Sequence, residues 1–105
     1  MSIIDNFEKM LADGQDNAML RYGLGQAYLN DGQPEKAAKH LRAALDHDGR
    51  YSAAWKLYGK ALAEKGDTAA AIEAYGEGIR VAQEKGDIQA AKEMGVFKKR
   101  LEKNR

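Results

Sequence analysis

Histidine is the side chain best suited to acid–base chemistry near neutral pH, and this sequence has two, His40 and His47. They stand seven residues apart, which on a helix places them two turns apart, and no cluster of metal-ligating residues surrounds them. The chain has no Cys, and no Ser-His-Asp arrangement can be proposed. We therefore expect surface histidines, no metal site, no catalytic residues and no enzyme activity.

Phosphate and cofactor sites are also not expected. The sequence contains no G-x-x-x-x-G-K-[ST] loop and no G-x-G-x-x-G after a strand. The pair Gly23 and Gly25 falls inside a predicted helix, where its backbone cannot cradle a phosphate. We predict that the chain needs no cofactor.

Composition narrows the class of protein further. A length of 105 residues fits one domain, and the net charge of +1 gives no general attraction to nucleic acid or acidic membranes. No apolar run approaches the roughly 20 residues that span a bilayer, and the amino terminus lacks the pattern of a secretory signal. We expect a cytoplasmic protein with no membrane partner.

Glycine spacing predicts the secondary structure. Glycines beside an aspartate recur at nearly even intervals, at Gly14, Gly32, Gly49, Gly66 and Gly86. Gly can end a helix in the left-handed conformation and Asp can cap the next helix. The segments between them have the length of ordinary helices, and few Val or Thr residues are present to form strands. The pattern predicts about six helices joined by short turns.

The sequence also repeats itself, with segment 52–85 following the pattern of segment 18–51. When the first segment is laid on the second, Leu24-Gly25 falls on Tyr58-Gly59, and Leu41 falls on Tyr75. A fixed period of this length is typical of helical hairpins that bury their apolar faces by stacking on one another.

These residues resemble the tetratricopeptide repeat (TPR) family, whose pattern has Trp, Leu-Gly and Tyr in a first helix, and a small residue, an aromatic and Ala-Leu in a second. Segment 18–51 matches through Leu24, Gly25, Tyr28, Ala37, Leu41, Ala44 and Leu45, and segment 52–85 through Trp55, Tyr58, Gly59, Leu62, Ala71, Tyr75 and Ile79. The resemblance implies an all-α fold of antiparallel helical hairpins, stacked as a short right-handed solenoid in a single domain over residues 1–105. From the burial statistics of aromatic residues, we also expect Trp55 to be a core residue.

Some positions depart from the family pattern. Arg21 stands where the first repeat would have its Trp, and Gly49 stands where the family has a terminal Pro. Gly78 replaces the usual Ala, and with Gly76 it puts two glycines in one predicted helix. We expect that helix to be marginal, or to bend when a partner binds.

The ends of the chain fit the same frame. One period back, Ile3, Phe7 and Leu11 fall on second-helix positions, so residues 3–13 are predicted to be a half repeat. At the other end Met94-Gly95 repeats Tyr58-Gly59 slightly later than a strict period would place it, as after a short insertion. Residues 88–103 are therefore predicted to be a capping first helix.

The resemblance implies a binding site, because first helices of this family line a concave groove. The groove positions here hold Tyr22, Gln26, Leu29, Asn30, Lys56, Lys60 and Glu64. Lys56 and Lys60 stand one turn apart with no acid between them along their helix, and Tyr22 adds an aromatic surface. These residues suit a protein or peptide ligand with acidic side chains.

Some family members grip the carboxyl terminus of heat-shock chaperones through a clamp of Lys, Asn and Arg. The matching positions here hold Tyr22, Gln26, Leu57, Gln89 and Glu93. None has the required side chain, so we expect no clamp of that kind.

The leading hypothesis is therefore a protein-interaction adaptor, and the alternative is a self-assembling structural subunit with no groove ligand. Residues 1–20 carry a net charge of −3 and residues 98–105 a net charge of +4, so two copies could meet head to tail as a homo-oligomer. The basic end is the only feature that suits nucleic acid, which we do not expect as a partner.

Overall fold

The computed structural model describes residues 2–105, and within that range all the regular secondary structure is α-helix. The elements are α1 (Ile3–Ala12), α2 (Ala18–Asn30), α3 (Pro34–His47), α4 (Ser52–Glu64), α5 (Thr68–Glu84) and α6 (Ile88–Lys103). This confirms the predicted all-α class with six helices.

Short polar side chains and glycines define the helix ends, as the sequence predicts for most of the turns. Asn17 accepts a hydrogen bond from the backbone N–H of Leu20 at 2.8 Å, and Asp67 and Asp87 cap α5 and α6 in the same way. Gly14, Gly32, Gly66 and Gly86 have φ between +73° and +97°, where an L side chain would be strained.

The turn after α3 is different. Gly49 does not have a positive φ, because Asp48 leaves the helix in an extended conformation with φ −148° and ψ 94°. The expectation that Gly49 would end its helix like the other four glycines is therefore wrong.

The hairpins α2–α3 and α4–α5 are held by close backbone approach at one glycine each. A Cβ added to Gly25 would overlap Leu41 Cγ, and one added to Gly59 would lie 2.6 Å from Tyr75 Cε1. Both positions are far inside van der Waals contact, so only glycine permits these helices to pack so closely. Because Gly25 and Gly59 occupy the same place in successive repeats, the sequence period is also a structural period.

The helices form two layers, and neighbouring helices touch within only one of them. Helix α2 contacts α4, and α4 contacts α6, whereas α3 and α5 do not contact each other. A row of helices that touch on one side and separate on the other must curve, so α2, α4 and α6 form the inner, concave side of the solenoid. None of the helices in residues 2–105 is long and apolar enough to cross a membrane.

Trp55 is less buried than expected. It is half-buried at the edge of three apolar clusters, and its indole Nε1–H donates to the Gly49 carbonyl at 2.8 Å. The fully buried side chains are smaller, and include Leu24, Leu41 and Met94. Trp55 therefore packs over the turn between the hairpins, where the Gly49 carbonyl accepts the hydrogen bond from its indole N–H.

His40 is buried, so the expectation of two surface histidines is wrong for this residue. Its ring stacks on the Tyr28 ring at a centroid distance of 5.4 Å, and Arg21 Nη1 lies 3.1 Å from its Nδ1. Because Arg can only donate, Nδ1 must accept, and the neutral ring carries its proton on Nε2. Burial, opposed by the nearby Glu8 carboxylate, lowers the pKa of His40.

Arg21, which replaces the family's Trp, joins three parts of the chain. It donates to Asp16 at 2.8 and 2.9 Å on one side and to His40 on the other. His47 also contacts Asp16 at 2.9 Å, and the hydrogen bonds from Arg21 and His47 hold the pKa of Asp16 well below its usual range. A polar network thus fastens the α1–α2 turn to α3 where the family pattern uses an aromatic ring.

Candidate functional site

The concave surface is lined by the inner faces of α2, α4 and α6. Of the seven predicted groove residues, Gln26, Asn30, Lys60 and Glu64 are exposed, while Tyr22, Leu29 and Lys56 are half-buried. All seven lie on α2 or α4, and α6 completes the surface.

Lys60 and Glu64 lie together at the edge of a cavity of about 280 Å³ near the carboxyl ends of α4 and α6. Its other lining residues are Ala63, Tyr75, Phe97, Arg100, Leu101 and Asn104. Tyr75 and Phe97 lie in contact, with ring centroids 5.7 Å apart. We call this space the carboxyl-end cavity, and it offers apolar walls with a charged rim.

Lys56 has an acidic partner that its own helix does not supply. Its Nζ forms a hydrogen-bonded ion pair with Glu93 Oε2 of α6. That hydrogen bond, helped by the Lys56 charge, lowers the pKa of Glu93. Since both side chains remain more than a third exposed, the pair screens Lys56 from a ligand but adds little to stability.

Tyr22 packs against the start of the second hairpin. Its ring stacks on Tyr51, at the start of α4, with a centroid distance of 5.0 Å and an interplanar angle of 25°. Tyr22 therefore forms part of the packing between the two hairpins.

The structure brings residues of α6 to the groove that the sequence does not place there. Phe97, Arg100 and Leu101 of α6 line the carboxyl-end cavity, whereas the family pattern would place Gln89, Lys92, Glu93 and Val96 in the groove. Glu93 faces α4 through its ion pair with Lys56, and together with Ile88, Gln89 and Lys92 it borders a second depression, which the carboxyl-end cavity does not include. The match of Gly95 to Gly59 is the available signal, because it indicates which face of α6 corresponds to which face of α4.

No metal chemistry is supported by the arrangement of side chains. Among residues 2–105, no three His, Asp or Glu side chains come together as metal ligands would. The groove can offer apolar contact, hydrogen bonds and charge to a ligand.

Comparison with known proteins gives a consistent result. The tetratricopeptide repeat family matches residues 4–46 and 22–87. The chain is 50% identical over 103 residues to a TPR repeat-containing protein of Pseudomonas aeruginosa, covering 98% of each. It is 46% identical to a protein of Bordetella parapertussis solved in solution, with a TM-score of 0.86 over 99% of this chain and 90% of that one.

A eukaryotic repeat domain has the same fold. The Sgt2 TPR domain from Aspergillus fumigatus is 33% identical, with a TM-score of 0.79, over 92% of this chain and 64% of that one. Domains with this fold generally mediate protein–protein interaction, and the matches point to a repeat protein without catalysis. By the extent of the sequence match and the shared fold, the chain belongs to the tetratricopeptide repeat family.

Proposed function

We propose that this chain is a protein-interaction adaptor that holds a segment of a partner protein in its concave groove. The observation that carries the proposal is the carboxyl-end cavity, whose apolar walls open onto the groove beside Lys60 and Arg100. Its volume of about 280 Å³ lies just below the usual range for small-molecule sites, so it suits one or two side chains better than a cofactor.

Charge indicates the kind of segment that would fit. Lys60 and Arg100 have no ion-pair partner among residues 2–105, whereas Lys56 is paired with Glu93. Glu64 at the same rim offsets part of this charge. The groove therefore favours a segment that places a bulky apolar side chain in the cavity, with an acidic residue next to it.

A charge-reversal experiment tests the groove. The variant K60E/R100E would be compared with the wild type by affinity capture from nuclease-treated lysate. The matched control is K36E/K39E, because both lysines are exposed near the start of α3, outside the inner layer. We expect a protein held by the wild type and the control to be lost from K60E/R100E.

The same experiment can overturn the proposal. Equal capture by K60E/R100E and the wild type, with circular dichroism showing that both are folded, would mean that the groove is not the binding surface. Self-assembly would then be the better description of the function, and exposed faces on α1 and α6 favour it as the second candidate.

A further inference from the structure

One face of α6 is open at the position where α2 and α4 each meet a second helix. Gly25 and Gly59 approach Leu41 and Tyr75 so closely that a Cβ added to either glycine would clash. Gly95 holds the position in α6 that Gly59 holds in α4, yet a Cβ added to it would meet nothing within 4 Å. No helix within residues 2–105 covers this face.

The contact between α6 and α5 shows which positions of α6 correspond to which positions of α4. Met94 contacts the backbone of Gly78, with its Sδ 2.5 Å from an added Cβ. One repeat earlier, Tyr58 packs against the cluster that contains Ala44, which holds the place of Gly78 in its own repeat. Met94 therefore takes the place of Tyr58, and Gly95 takes the place of Gly59.

Helix α1, at the other end of the solenoid, also has an exposed apolar face. Ile3 and Phe7 stand one full repeat before Ala37 and Leu41. Ala37 and Leu41 are fully buried, whereas Ile3 is 59% exposed and Phe7 is half-buried against Gly23. So α1 has the apolar pattern of a second helix, and no helix within residues 2–105 packs on it as the first helix of its own repeat would.

Side-chain sizes on the two open faces are complementary. In the second hairpin the large Trp55 lies against Gly78, with the Trp55 Cβ 2.8 Å from an added Cβ. By the same periods, Trp55 corresponds to Ala91 of α6, and Gly78 corresponds to Met10 of α1. In the Trp55–Gly78 pair the large residue lies on the first helix, whereas in the Ala91–Met10 pair it lies on the second. The two pairs would therefore fill a similar volume.

Charge is complementary as well. Residues 1–20 carry a net charge of −3, and residues 98–105 carry a net charge of +4. Opposite charges at the two ends attract end to end, while like ends repel.

We infer that α1 of a second copy packs on the open face of α6, with Phe7 over Gly95 and Met10 against Ala91, so that a complete helical hairpin forms between two chains. The contact joins different faces, so it leaves one α1 and one α6 open at the ends of any pair. The solenoid then continues from chain to chain, and this inference does not depend on a ligand in the groove.

Blocking each face separately tests the inference. In G95F the new side chain enters open space in the monomer but keeps a second α1 away. In I3K/M10K two exposed apolar residues become lysines that repel the basic end of α6. The matched control is V96F, because Val96 is 52% exposed and lies about 100° around the helix from Gly95.

Sedimentation velocity over a range of protein concentrations gives the readout. We expect the wild type and V96F to exceed the 11.6 kDa of one chain as concentration rises, with less association at high salt. G95F alone and I3K/M10K alone should stay at one chain. Mixed together they should give a species of two chains and nothing larger, because each supplies the face that the other lacks.

Three results of the sedimentation experiment would overturn the inference. These are a wild type that stays at one chain up to its solubility limit, association that survives in G95F, or a mixture that forms no pair. Circular dichroism on each variant checks that the monomer is folded. If G95F itself failed to fold, the face would not be open, which also contradicts the inference.

Discussion

Gly78 lies directly against Met94, with the space that a Cβ would need already taken by the Met94 sulfur and by the Trp55 Cβ. This contact joins α5 to both α4 and α6. It explains one of the two glycines in α5, which remains a continuous helix from Thr68 to Glu84.

The two glycines of α5 should respond in opposite ways to substitution by alanine. A Cβ at Gly76 would meet only the flexible end of Lys98, at 3.6 Å, so G76A should stabilise the fold by up to about 1 kcal/mol through helix propensity. G78A would push against the Trp55 Cβ, which cannot move without its helix, and should destabilise by about 1–3 kcal/mol. Urea denaturation of each variant measures the difference, and equal effects would contradict the assigned contact.

How far the sequence predicts this fold depends on how local each signal is. The Gly-Asp turns and the repeat period can both be read directly from the sequence, without knowing any contact between helices. Together they predict the six helices that the structure has. The prediction for Gly49 is wrong because Asp48 leaves α3 in an extended conformation, which the dipeptide alone does not reveal.

The candidate site is harder to predict, because its contacts cross between helices. The Lys56–Glu93 ion pair depends on how α6 is rotated against α4. The burial of His40 depends on the Tyr28 ring of another helix. The apolar cavity depends on α5 as well as α4 and α6, since Tyr75 lies beside Phe97. Periodicity gives the face of a helix but not which side chain of the next helix reaches it.

The close-packed and open glycines provide a second test of the packing. G25A would place its Cβ in the space that the Leu41 side chain occupies, so it should destabilise the fold by about 1–3 kcal/mol. G95A meets nothing within 4 Å in one chain and should stabilise it by up to about 1 kcal/mol. Thermal unfolding at low protein concentration compares them, and a destabilised G95A would show that α6 packs differently.

Removing the acid that pairs with Lys56 should strengthen binding of an acidic ligand. In E93Q the amide keeps the shape of the side chain but no longer neutralises Lys56, so the groove gains one net positive charge. We expect the captured partner to associate faster with E93Q than with the wild type, with the difference decreasing as salt is added. Surface plasmon resonance measures both rates, and the charge-neutral control Q83N, at an exposed position on α5 outside the inner layer, should behave as the wild type. Weaker binding to E93Q would mean that Glu93 itself contacts the ligand.

Stability should fall as the pH drops below about 6.5, the ordinary pKa of histidine, because His40 has a lowered pKa in the folded chain. The unfolded chain then takes up a proton more readily than the folded chain, so protonation favours unfolding. The charged groups that act on His40 are Glu8, Arg21, Lys39 and Asp16. Asp16 does not obscure the effect, because its stabilising contribution is lost only as the pH falls below about 4, the ordinary pKa of aspartate.

The variant H40Q isolates this contribution. The Gln amide oxygen can still accept from Arg21, but the side chain does not titrate. H40Q should be less stable than the wild type at pH 8, where it lacks the ring that stacks on Tyr28. Its stability should change less between pH 7.5 and pH 5.5. Urea denaturation across this range gives the free energy of unfolding, and identical slopes for the two proteins would mean that His40 is not the titrating group.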